Sequence, residues 1–292
     1  MQAERGVYSP LFSSSERSTI AAAVDDRGAA SRPGPASITW RLHAERLAVL
    51  GWPRAVLMQI AHPHVAAAIA EHSSFGGGLL APYVRLASTV RAMRTLTFGS
   101  DAAAGTTAAR INAIHDRVKG TMPDEARSAP STYSARDPAL LAWVHLTLVD
   151  STLRVYEQLV GPLAPADRDR YCDETAAVAT WFGVPEARIP RTRADVDAAI
   201  GDMVASGALV ASPVSRELAR QVLHPPLGWL GGPAAGFVRR LTASELPSHI
   251  RDLFDLRWGP DEARALERGI RVVRALRRYA PDRLTQWPES RT

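Results

Sequence analysis

Apolar residues recur along most of this chain with helical rather than strand spacing. From Trp40 to Leu50 an amphipathic pattern ends at Gly51. A second apolar run opens with Pro53, favourable in a first helical turn, and continues through Val56, Leu57, Ile60 and Val65 to Ile69. Pro63 lies inside that run and must kink or restart it, because proline donates no hydrogen bond and its ring displaces the carbonyl four residues back. Gly76-Gly77-Gly78 marks a hinge or tight loop, Pro82 opens a helix that stops around Gly99, and a further helix is expected over about 103–120. A polar loop with Pro123 and Pro130 follows.

The clearest punctuation comes next: Asp137 as N-cap, Pro138 in the first turn, and Gly161-Pro162 as the stop. Later helices are read over about 165–182, from Thr192 to Ser206, from a Ser215 cap to Leu223, and over about 234–241, 247–254 and 260–279, with a loop from His224 to Pro233. Strand-like alternation is nearly absent. The expected fold is all-α, a single domain of roughly ten helices over residues 37–280, after a mobile Ser-, Arg-, Gly- and Pro-rich arm at 1–36 and before a frayed tail at 281–292.

Composition narrows the function classes. The formal charge is +5 and the basic residues are almost all arginine, Lys119 being the only lysine. The arginines are interleaved with carboxylates, as in Asp167-Arg168-Asp169-Arg170, and no basic run with aromatics appears, so no nucleic-acid partner is expected. One cysteine, Cys172, excludes an intramolecular disulfide framework and a Cys-rich metal site. No export signal and no apolar run of about 18 residues is read, so a cytoplasmic setting is expected while a peripheral membrane contact stays open.

Several histidines invite chemistry. Ile111, Ile114 and Val118 share a helical stripe, and His115 sits within it, either as a core residue bonded to a backbone carbonyl or as a metal ligand. His145, among Leu141, Leu148 and Val149, is equally apolar in its surroundings and is the rival ligand. His62 and His64 flank Pro63. Two apart on a helix they point about 200° away from each other, so they converge on one ion only if Pro63 breaks the helix, and one inward histidine at a kink is the better reading. Arg85 and Thr89 share a face, the arginine turned to solvent or inward toward a carboxylate or anion. Thr147 shares a face with Asp150, Ser151 and Arg154, a solvated stripe or the polar lining of a cavity. No Gly-x-Ser-x-Gly elbow, P-loop or dinucleotide fingerprint is present.

Taken in order, Leu57-Met58-Gln59-Ile60-Ala61-His62-Pro63, His72-Ser73-Ser74-Phe75, Arg85-Leu86-Ala87-Ser88-Thr89, Ile114-His115-Asp116-Arg117-Val118-Lys119-Gly120 and Leu141-Ala142-Trp143-Val144-His145 resemble the MpaB oxygenase and rubber oxygenase (latex-clearing protein) family, over about 38–258. The resemblance implies a globin-like helical core around a b-type haem with His115 as proximal iron ligand, Arg85 and Thr89 on or near the distal side, Thr147 as a later threonine of the site, and oxidation of a substrate by dioxygen. Rubber oxygenases carry lysine where this chain has Ser88, so a different resting iron site is expected and polyisoprene is not the expected substrate. Glu71 and His72 are candidates for proton transfer, because Pro63 aims the following turn. The apolar helix faces favour a small hydrophobic substrate. The alternative from another class is a helical protein that carries haem or a lipid-like ligand without turnover.

Overall fold

The computed structural model describes residues 32–72, 81–122, 132–224 and 232–291, with the backbone alone at 81–85. Most of the expected arm, the Gly76-Gly77-Gly78 loop, the Pro123 to Pro130 loop and most of the His224 to Pro233 loop lie outside the described residues.

The described chain is mostly helical: α1 Ile38–Ala44, a 3-10 turn Arg46–Gly51, α2 Trp52–Ile60, α3 Pro63–His72, α4 Ala81–Phe98 and α5 Asp101–His115. Then come strands β1 Lys119–Thr121 and β2 Thr132–Ser134, followed by α6 Pro138–Leu159, α7 Pro165–Trp181, α8 Arg193–Ala205 and α9 Pro213–Leu223. The series closes with α10 Pro233–Glu245, α11 Ser248–Leu253, α12 Pro260–Tyr279, α13 Asp282–Thr285 and a 3-10 turn Pro288–Arg291.

α6 is the axis of the fold. The Asp137 carboxylate accepts from the Ala139 backbone N–H, Pro138 occupies the first turn, and the 22 residues that follow span about 33 Å. α6 packs most extensively on α2 and the 3-10 turn before it. Gly51 permits that approach: a Cβ there would lie 2.8 Å from the Ser151 carbonyl oxygen. One core cluster joins Leu57, Met58, Trp143, Met203, Leu209, Leu218 and Ile250; a second joins Leu42, Leu146, Leu153, Tyr171 and Val196. Both draw on α6, whose Trp143 indole N–H also donates to the Met58 carbonyl at 3.2 Å.

A polar face of α6 is buried as well. Asp150 pairs with Arg54 at 2.6 Å, Arg154 at 2.9 Å and Arg193 at 2.7 Å. Arg54, 1% exposed, also donates to the Ser151 hydroxyl and to the Glu245 carbonyl, each at 2.7 Å. Burial would raise the Asp150 pKa, but the guanidiniums, Arg54 foremost, outweigh it and hold the carboxyl below its ordinary value. The face shared by Thr147, Asp150 and Ser151 is therefore neither solvated nor a cavity lining: it is an ion-paired seam tying α6 to α2, α8 and α10.

Pro63 restarts the helix, one of the two outcomes expected of it, after a break at Ala61 and His62. Other expectations change. The helix bearing His115 ends there rather than at Gly120, because the Arg117 and Val118 N–H groups tighten onto the Ile114 and His115 carbonyls and the chain then extends into β1. β1 pairs antiparallel with β2, Gly120 opposite Tyr133. Ser212, not Ser215, caps α9, with Ser215 returning the bond to the Ser212 N–H in a capping box. The tail is not frayed: Trp287 packs against Trp40, Ala44 and Phe98, with the Arg46 and Arg94 guanidiniums over its ring at 5.1 and 4.6 Å.

Candidate functional site: an apolar cavity with three histidines

Between α1, α4, α5, α6 and α7 lies a cavity of about 270 Å³, lined mainly by apolar side chains including Val49, Leu96, Ile111, Leu148, Val178 and Phe182, with Trp287 of the tail also on its wall. His43, His115 and His145 all line it. Its charged lining residues are Glu45 and Arg94, and each is compensated from outside: Glu45 by the Arg277 guanidinium, with Nε at 3.0 Å, and Arg94 by Glu289. The cavity presents little uncompensated charge to a ligand.

His115 sits at the last position of α5, where the turn beyond it is pinned. Arg136 bonds both Asp116, at 2.9 Å, and the Asn112 amide oxygen, at 2.7 Å, while the Asn112 amide N–H donates to the Trp181 carbonyl at 2.8 Å. This latches the end of α5 to the end of α7 and holds the ring 6.3 Å from that of Phe182. Its Nδ1 is buried without a hydrogen-bond partner, and its pKa is lowered by burial first and by Arg136 second. The apolar stripe does not face the core as a unit: Ile111 reaches the cavity, but Ile114 is 46% exposed.

His145, on the cavity face of α6, makes no hydrogen bond among the described residues, and burial pushes its pKa down to about 4. His43 is different. Its Nδ1 lies 2.9 Å from the Thr97 hydroxyl and its Nε2 2.9 Å from the Tyr171 hydroxyl, so both nitrogens are satisfied. Burial takes its pKa to about 4, and the neutral ring donates to one hydroxyl and accepts from the other. Sequence reading missed it because its partners come from α4 and α7, 54 and 128 residues away.

The remaining candidates divide. Thr89 lines the cavity; the Arg85 side chain lies outside the described residues. Thr147 points away from the cavity, accepting from the Gln59 amide at 2.9 Å and donating to the Val144 carbonyl at 2.8 Å. His62 is buried elsewhere, its ring 5.3 Å from that of His64, with burial and that neighbour lowering its pKa to about 3. Glu71 and His72 lie at the exposed end of α3 against the two-stranded sheet: Tyr133 donates to Glu71, and the His72 Nε2–H donates to the Lys119 carbonyl at 3.2 Å. The structure thus brings together His115, His145 and Thr89, adds His43 and Tyr171, and leaves His62, Thr147, Glu71 and His72 off the cavity wall.

Residues 40–275 match the family model described as the catalytic domain of the ER-bound oxygenase mpaB/B′ and rubber oxygenase. Two relatives, an uncharacterized protein of Mycobacterium tuberculosis and one of Mycobacterium bovis, are each 26% identical over 230 residues, which is 78% of this chain and 88% of theirs. No solved structure matches the chain. A family match that runs from Trp40 in α1 through most of α12 establishes that this chain belongs to the ER-bound oxygenase mpaB/B′ and rubber oxygenase catalytic-domain family, a family of oxygenases.

Proposed function

We propose that the protein is a haem b-dependent oxygenase acting with dioxygen on a small hydrophobic substrate, in which His115 would hold the haem iron. The observation that carries this reading is a buried imidazole nitrogen, His115 Nδ1, without a hydrogen-bond partner beside an apolar cavity in an oxygenase-family chain. Among the described residues no three metal-ligating side chains converge. A haem would need only one or two ligands from the protein, and His115 and His145 are the cavity residues that would hold it. Among the described residues His115 Nδ1 makes no bond to a backbone carbonyl, as it would in a satisfied core histidine, and the ring is held by its latched turn and by Phe182. At about 270 Å³ the cavity is at the lower end for ligand sites, so loading requires it to widen.

A haem held there would supply the redox chemistry for oxidation by dioxygen. The residues of the chain do the rest. His115 and His145 stay neutral at pH 7, because burial lowers both pKa values, and keep a lone pair available. Thr89 lies on the cavity wall, and His43, linked to Thr97 and Tyr171, holds a proton between two hydroxyls with no net charge. The apolar wall admits a hydrophobic substrate and excludes water. Titration of the purified protein with haemin tests the reading: one haem per chain with a Soret band, and reductant-dependent oxygen uptake on adding a small olefin, is expected. A folded protein that takes up no haem would overturn it, and haem uptake without any oxygen chemistry would favour the carrier instead.

A further inference from the structure

Among the described residues nothing covers the outer face of α12. Leu266, Ile270 and Val273 turn inward onto Leu159 and Leu241, whereas Val272, Leu276 and Tyr279 are 58%, 67% and 83% exposed. At 3.6 residues per turn these three fall within about 60° of one another, a continuous apolar stripe on the solvent side. Leu284, on the short helix that follows, is 62% exposed. An apolar stripe of this length with an aromatic at its end marks a contact surface rather than scattered surface hydrophobics.

Arginines define what it contacts. Arg264, Arg268, Arg271 and Arg278 occupy the adjoining ~80° of α12 on one side of the stripe. Arg264 is taken by Asp261, but Arg268, Arg271 and Arg278 make no ion pair among the described residues, and the acid beside them is Glu267. Arg274 and Arg277 are engaged inward, with the Glu157 and Gln158 carbonyls and with Glu45. An antiparallel isologous contact with a second copy would bring two arginine flanks together, an unfavourable pairing. A nucleic-acid backbone would use the arginines and leave the apolar stripe wet. We propose that this face of α12 is an in-plane docking surface for an anionic lipid membrane, the stripe entering the acyl boundary and the arginines meeting the headgroups. Among the described residues no helix is long and apolar enough to cross a membrane, so the contact lies on the bilayer and does not span it. This does not depend on the haem assignment.

Flotation of the full chain with vesicles tests it. The protein is expected to float with phosphatidylcholine–phosphatidylserine vesicles and not with phosphatidylcholine alone, and less so as salt is raised. Arg271→Gln with Arg278→Gln should weaken vesicle affinity about 25-fold, about fivefold per arginine. Leu276→Ser with Tyr279→Ser should abolish flotation while circular dichroism and the thermal midpoint stay at wild-type values, since both side chains are exposed. Wild-type protein that ignores anionic vesicles, or flotation unchanged in both double variants, would overturn the proposal. So would binding of RNA or duplex DNA that follows the arginines but not the apolar pair, or a concentration-dependent dimer that the apolar pair alone controls.

Discussion

Replacing Arg54 with methionine tests the ion-paired seam that seats α6. The substitution keeps the aliphatic stem but removes the 2.6 Å pair with Asp150 and the two 2.7 Å bonds to Ser151 and the Glu245 carbonyl, all in a fully buried setting. Arg154 and Arg193 remain beside Asp150 but are partly solvated, so they offset only part of the loss. Breaking a buried pair from one side costs about 3–5 kcal/mol, against ~0–1 for a surface pair. With a urea slope near 3 kcal/mol per molar, that lowers the unfolding midpoint by about 1–2 M, readable by far-UV circular dichroism and by tryptophan fluorescence. The Asp150 carboxyl is held below its ordinary 3.8 in the folded state, so its contribution is complete above that value and fades as pH falls through the folded pKa. The penalty should therefore be undiminished at pH 7. A midpoint shift below ~0.3 M with an unchanged slope would refute the reasoning, since the pair would then be worth no more than a surface one. Asp150→Leu combined with Arg54→Met should cost less than the two singles added.

Three further outcomes follow from the packing. His43, His145 and His62 are held at about 4, 4 and 3 against an unfolded value of 6.5, so the unfolded chain binds protons first and stability should fall as pH drops from about 6.5 toward 4; His43→Asn should flatten that slope in urea titrations at pH 7 and pH 5. Gly51→Ala places a methyl 2.8 Å from the Ser151 carbonyl and 3.5 Å from Val155, and should destabilise by about 1–3 kcal/mol in thermal unfolding. Tyr133→Phe removes the hydroxyl that donates to Glu71 and should loosen the two-stranded sheet by about 0.5–1.5 kcal/mol, seen as faster amide exchange at Gly120 and Thr121.

The helices were legible wherever the chain carries its own punctuation. Asp137-Pro138 and Gly161-Pro162 bracket α6, Pro260 and Tyr279 bound α12, and Pro63 restarts a helix because its ring cannot continue one. What long-range contacts decide was not. The short sheet forms because Tyr133 reaches Glu71 across 62 residues, and the tail folds back because Trp287 finds a slot between two arginines. The site divides in the same way. Apolar periodicity pointed to His115 and His145, and both line the cavity. It left Thr147 open between two polar fates, and buried ion pairing, invisible in spacing, decided its face. His43 carried no local signal, because its two partners are remote in sequence.

The haem assignment to His115 is tested most directly by the visible spectrum of three haemin-loaded proteins: wild type, His115→Ala and His145→Ala. Wild type and His145→Ala should show a Soret band, and His115→Ala should lose it while its far-UV circular dichroism remains that of the wild type. A band that survives in His115→Ala and disappears in His145→Ala would contradict the assignment and move the iron to the α6 histidine.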